Sequence, residues 1–152
     1  MSYKEKSILL TLGLTLYLLY YYYSGLNGLA NTNALTEESF TYLLMTTAIW
    51  LTSLAIGFHI IVAAVHAKEA EEGDDERDKQ IEILGTRNAY YVLVFGIISA
   101  VAQTQFSHFS DIGISFSTLS SGYNIIHYVI VSFLIAEIVK YISQLYYYRR
   151  GF

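Results

Sequence analysis

Hydrophobic residues in this chain gather in four long runs, parted by short stretches rich in Ser, Thr, Asn, Gly and charged residues. The runs cover about 7–23, 41–66, 88–105 and 122–148, each near the ~20 residues that carry a helix across a hydrocarbon layer. They predict an all-α integral membrane four-helix bundle: one transmembrane domain of two helical hairpins, joined through the charged segment 67–87. The second and fourth runs are long enough to tilt or to project from the bilayer. The first follows Lys4 and Lys6, which resembles the opening of a signal peptide, but no small-residue cleavage site comes after it. It ends instead in Tyr20, Tyr21, Tyr22 and Tyr23, the pattern of a retained anchor helix whose rings sit at the membrane–water interface.

Composition agrees with a lipid solvent. The chain is 54% hydrophobic and 14% charged, where a soluble domain carries about a quarter charged residues. With no cysteine and no proline, disulfides, thiolate metal sites, cysteine nucleophiles and proline kinks are excluded, and any hinge falls to glycine. The net charge of −4 is concentrated in one loop and gives no argument for nucleic-acid binding.

The basic residues set an orientation, because short loops rich in Lys and Arg stay on the cytoplasmic side. Lys4, Lys6, Lys68, Arg77, Lys79, Arg87, Lys140, Arg149 and Arg150 lie at the amino end, in the middle loop or toward the carboxyl end, and 24–40 and 106–121 hold none. The expected topology is therefore N-in/C-in in a cytoplasmic (inner) membrane, with Tyr146 to Tyr148 marking the inner interface of the last helix and the two Ser/Thr/Asn/Gly-rich segments outside as solvated connectors.

The segment Lys68–Arg87, KEAEEGDDERDKQIEILGTR, predicts two helical pieces. One continues the second span to Gly73; the other starts at Asp74 or Asp75, whose carboxylate caps free N–H groups and complements the positive helix end. Asp75 and Asp78 are spaced as in a capping box. Ile81, Leu84 and Tyr91 share one face of this helix and Asp78 and Glu82 another, so it is expected to lie along the membrane before entering the third span.

Asp75-Glu76-Arg77-Asp78, followed by Ile81, Glu82, Arg87 and Tyr90 to Leu93, resembles the DERD-type motif ahead of a transmembrane helix in small bacterial and archaeal membrane proteins grouped as a domain of unknown function. The resemblance covers about twenty residues and implies four spans but no established activity. Two readings of the motif compete. In the first, the acids cap a helix and pair with Arg77, Lys79 and Arg87 at a few tenths of a kcal/mol per pair, as a folding and topology signal. In the second, Asp75, Glu76, Arg77, Asp78, Glu82 and Arg87 form a docking surface for a partner. A cation site from Glu71, Glu72, Asp74, Asp75 and Asp78 does not match the calcium-loop spacing.

Ionisable groups at bilayer depth are costly and point to function. Glu137 stands about ten residues before the inner tyrosine cluster, ~15 Å along the helix, and His59 lies seven residues before His66 on the same face. A His59–Glu137 pair would clasp span two to span four or exchange a proton. Gln103, Gln105, His108, Asp111 and His127 form a looser outer group that lacks the tight spacing of a zinc or copper site. Small residues in spans two and three, Ala48, Ser53 and Gly57 and then Gly96, Ser99 and Ala100, permit close helix packing, within the bundle or in a homo-oligomer.

No motif of an enzyme active site or inverted transport repeat is present, so no catalysis, no cofactor and no metal are expected. The reading is a prokaryotic membrane protein that acts by interaction, as an accessory, immunity or regulatory subunit, with the acidic loop as its cytoplasmic face. Its partners are the bilayer and a second copy or another membrane or cytoplasmic protein. The alternative is an oligomeric proton or ion pathway using His59, His66, His127 and Glu137.

Overall fold

The computed structural model describes residues 3–65, 75–106 and 120–150. These residues form four helices: α1 (Tyr3–Asn31), α2 (Glu37–Val65), α3 (Glu76–Phe106) and α4 (Ser121–Arg150). The protein is an all-α membrane bundle, and among the described residues α1, α3 and α4 are long and apolar enough to cross a bilayer. At 29 residues, α1 spans about 43 Å, more than the hydrocarbon layer needs, so its ends reach beyond it.

The helices are longer than the hydrophobic runs because capping extends them into polar sequence. Only residues 32–36 separate α1 from α2, where the sequence reading places a solvated connector over 24–40. Asn33 turns the chain with φ 52°, a left-handed conformation that asparagine tolerates well. Thr36 and Ser39 then cap each other: the Thr36 N–H donates to Ser39 Oγ at 2.9 Å, and the Ser39 N–H donates to Thr36 Oγ1 at 3.2 Å. Glu37 and Glu38 follow in the first turn, where negative charge complements the helix dipole.

At the start of α3 the Asp75 carboxylate accepts the Asp78 N–H at 2.7 Å, as the capping argument predicts. From there the helix runs unbroken for 31 residues. The expected arrangement, with this segment laid along the membrane ahead of the span, differs from the structure, in which the first turns of α3 stack against the last turns of α4. Close helix approach explains the difference. A Cβ on Gly85 would come within 2.6 Å of Gln144 Cγ and 3.0 Å of the Lys140 carbonyl oxygen, and one on Gly96 would collide with Ser132. Ala89 and Ala100, each four residues beyond one of these glycines, are buried in the same seam, and Asn88 Nδ2 donates to Ser143 Oγ at 3.1 Å across it. Small residues at this spacing let two helices approach closely in lipid, where dispersion and hydrogen bonds replace the hydrophobic effect as the glue.

In space α3 lies on α4, α4 on α1, and α1 on α2. The core between α1 and α2 is built from Tyr22, Leu26, Leu35, Phe40 and Leu43, with Tyr123, Ile130 and Val131 of α4 packed against it. Phe40 meets the Tyr123 ring edge-on at 5.9 Å. Outward, Ile49 and Ile60 of α2 and Phe95 and Ile98 of α3 are more than half exposed. In water such rows would aggregate; against acyl chains they need no partner.

Candidate functional site

The DERD-type segment is the first turn of α3, and two of its four residues, Arg77 and Asp78, reach neighbouring helices. Asp78 receives the Lys4 ammonium of α1 at 2.9 Å and the Tyr148 hydroxyl of α4 at 2.6 Å, so one carboxylate ties three helices together. Arg77 adds a second attachment to α4: Nη2 donates to the Tyr148 carbonyl at 3.3 Å, and the guanidinium lies 5.9 Å from the centroid of the Tyr148 ring. The first turn of α1, the start of α3 and the last turns of α4 are therefore at one end of the molecule. Asp75 is the cap. Glu76, Glu82 and Arg87 are exposed.

The acids of the motif thus cap and pair, but with partners far along the chain rather than with Arg77, Lys79 and Arg87 nearby. Lys4 and Tyr148 carry the sequence signals of a topology determinant and an interfacial ring, and nothing local to them announces a shared carboxylate.

Beside this clasp, α1, α3 and α4 enclose a cleft of about 480 Å³. Ile8 and Ile81 form its apolar part, and Lys4, Asp78, Lys140, Gln144 and Glu82 are among its polar lining.

The second polar centre is His127. It is 5% exposed and its Nδ1 lies 2.7 Å from the hydroxyl of Tyr22, which is 0% exposed. The two rings stack at 5.7 Å, and Tyr23 and Tyr128 stand edge-on to the imidazole at 6.3 and 5.5 Å. The tyrosine run of α1 is thus partly core: Tyr22 points inward, and Tyr20 and Tyr23 point out. The sequence reading groups His127 with the outer polar residues, yet here it is enclosed by aromatic rings. Tyr22 and Tyr23 meet α4 at His127, and pairing between helices over 100 positions apart in sequence is invisible to periodicity.

Glu137 is half-buried on α4, with the Tyr141 hydroxyl one turn away against its carboxylate. It stands ten residues from His127, ~15 Å along the same helix. His59 belongs to α2, which packs on α1, and its side chain lies outside the described set; His66, His108, Asp111 and the acidic stretch 66–74 lie outside the described residues. Gln103 and Gln105 fall in the last turn of α3.

The small residues of the two spans part company. Gly96 and Ala100 face α4 inside the bundle, whereas Ala48 and Ser53 of α2 are exposed and a Cβ on Gly57 would meet nothing within 4 Å.

No family model, no curated protein and no solved structure matches the chain.

Proposed function

We propose that this protein is a small prokaryotic cytoplasmic-membrane subunit that works by protein interaction, in an accessory, immunity or regulatory capacity, and that it docks its partner on the outward face of the first turns of α3. The observation that carries the reading is a stripe of exposed side chains, Glu76, Gln80, Ile83, Arg87 and Tyr90, at the i, i+4, i+7, i+11, i+14 spacing of one helical face. Ile83 is 64% exposed between two charged positions, on the face turned away from the clasp. Asp75, Arg77 and Asp78 hold the helix rigid, which lowers the ordering cost of binding. The partner this stripe fits has a basic group for Glu76, an apolar side chain for Ile83 and an acidic group for Arg87.

The reading also assigns the clasped end to the cytoplasm. Lys4, Lys6, Arg77, Lys79, Arg87, Arg149 and Arg150 belong to that end of α1, α3 and α4, the bias that retains a segment inside the cell. A reporter fused after the last residue is expected to be active only on the cytoplasmic side.

Because the chain has no cysteine, a single cysteine at Gln80 or Ile83 gives an unambiguous crosslinking position. In native membranes each is expected to yield a discrete adduct, lost when Glu76→Lys and Arg87→Glu are combined. An adduct of twice the chain mass identifies a second copy as the partner. No adduct from either position would sink the docking reading, and proton flux in liposomes abolished by Glu137→Gln would replace it with conduction.

A further inference from the structure

The cleft between α1, α3 and α4 is distinct from the docking stripe, and its chemistry is not used by the clasp. Lys4 and Asp78 satisfy each other at its rim. Three further polar side chains of its lining have no polar partner among the described residues. Gln144 is 5% exposed, folded over the notch left by Gly85, and its amide makes no hydrogen bond among the described residues. No buried side-chain nitrogen or oxygen among those residues is sealed away without a partner, so the Gln144 amide opens into the cleft that it lines. Lys140 has the Tyr141 ring at 5.5 Å and, among the described residues, no carboxylate within ion-pair distance. Glu82, on the opposite wall, likewise has no cation among the described residues.

One cation, one anion and a neutral amide that both donates and accepts, none of them satisfied among the described residues, describe a receptor for a zwitterion. We infer that this cleft holds a phosphoethanolamine-type headgroup, its phosphate on Lys140 and the Gln144 amide N–H, its ammonium on Glu82. Such a ligand exists both as a lipid headgroup and as a soluble phosphodiester. The structure favours the lipid. The cleft flanks α1 from Lys4 to Thr11, where the helix passes from charged to apolar sequence, and the exposed faces of the same helices are suited to acyl chains. Ile8, part-exposed beside these polar groups, supplies an apolar contact that the glycerol backbone would cover and a soluble headgroup would leave bare. Charge balance also matters: Lys4 offsets Asp78 and Lys140 offsets Glu82, so a zwitterionic headgroup matches the lining and an anionic one leaves Glu82 without a cation.

The proposal does not rest on the docking reading, since Glu82 faces the cleft and the stripe follows Glu76, Ile83 and Arg87. Its test is native mass spectrometry of the full chain released from detergent with added phosphatidylethanolamine, phosphatidylglycerol or glycerophosphoethanolamine. Phosphatidylethanolamine is expected to be retained about tenfold over phosphatidylglycerol. Glu82→Gln, at an exposed position that cannot disturb the fold, is expected to erase that preference, and Lys140→Gln and Gln144→Leu to lower retention of both lipids. Equal retention of the two lipids by the wild type, or a preference unchanged in Glu82→Gln, overturns the assignment. Displacement of the lipid by equimolar glycerophosphoethanolamine overturns the lipid as the occupant.

Discussion

The two hairpins of this bundle use the same residue types to different ends. Between α3 and α4, Gly85 and Gly96 are notches into which the opposing helix fits. In the α1–α2 hairpin, Gly13, Gly28 and Gly57 have open space where a Cβ would stand, and Gly25 meets only the flexible end of the Leu43 side chain, at 2.5 Å. The first hairpin is joined along its length by small residues, the Asn88–Ser143 hydrogen bond and the Asp78–Tyr148 bond. The second depends on a cluster of large side chains near its turn, centred on Tyr22, Phe40 and Leu43. Glycine in a membrane helix therefore reports close packing only where another backbone is near enough to need it.

Substitutions at matched positions should break or sharpen this contrast. Gly96→Val, which drives a branched side chain into Ser132, is expected to destabilise the bundle by about 3 kcal/mol, measured by reversible unfolding in mixed micelles. If Gly96→Val proves neutral, the α3–α4 seam is not as close as described. Tyr22→Phe removes the hydroxyl from His127 and is expected to cost about 1 kcal/mol, in the range of interhelical hydrogen bonds in membranes. A double-mutant cycle with His127→Leu should recover most of that loss; strict additivity would mean that the two side chains do not interact. Gly57→Ala should act in the opposite direction, stabilising by about 0.5 kcal/mol through helix propensity alone, because nothing occupies the space. A loss there would show that α2 has a close neighbour. The smallest effect is expected from Asp78→Asn, a few tenths of a kcal/mol, since both Asp78 and Lys4 are partly solvated. Its more telling readout is local: amide hydrogen exchange should speed up in the first turn of α3 and the last turn of α4 and stay unchanged at the α1–α2 turn.

Helices were legible in the sequence where the chemistry is local. The four apolar runs, the Asp75 cap and the end of α3 near Gln105 all follow from hydropathy and from a carboxylate next to free N–H groups. The reciprocal cap of Thr36 and Ser39 is equally local, and its Thr-Glu-Glu-Ser spacing carries the signal that α2 begins before the hydrophobic run does. The candidate sites are different in kind. Asp78 and Tyr148 are 70 positions apart and Tyr22 and His127 are 105 apart, so each pair exists only because particular helices are neighbours.

The amino-acid sequence by itself determined that this protein is a bundle of apolar helices with its positive charge at one set of ends, because solvent partition and dipole capping act residue by residue. Tertiary structure alone decided which polar side chains are engaged and which line a cleft. Tyr22 became core while Tyr20 faces out, and Asp78 became a clasp while Glu82 and Gln144 were left lining a cleft. The physical reason is that a helix offers its polar residues in every direction at similar local cost, and only the close approach of another helix, set here by Gly85 and Gly96, selects among them.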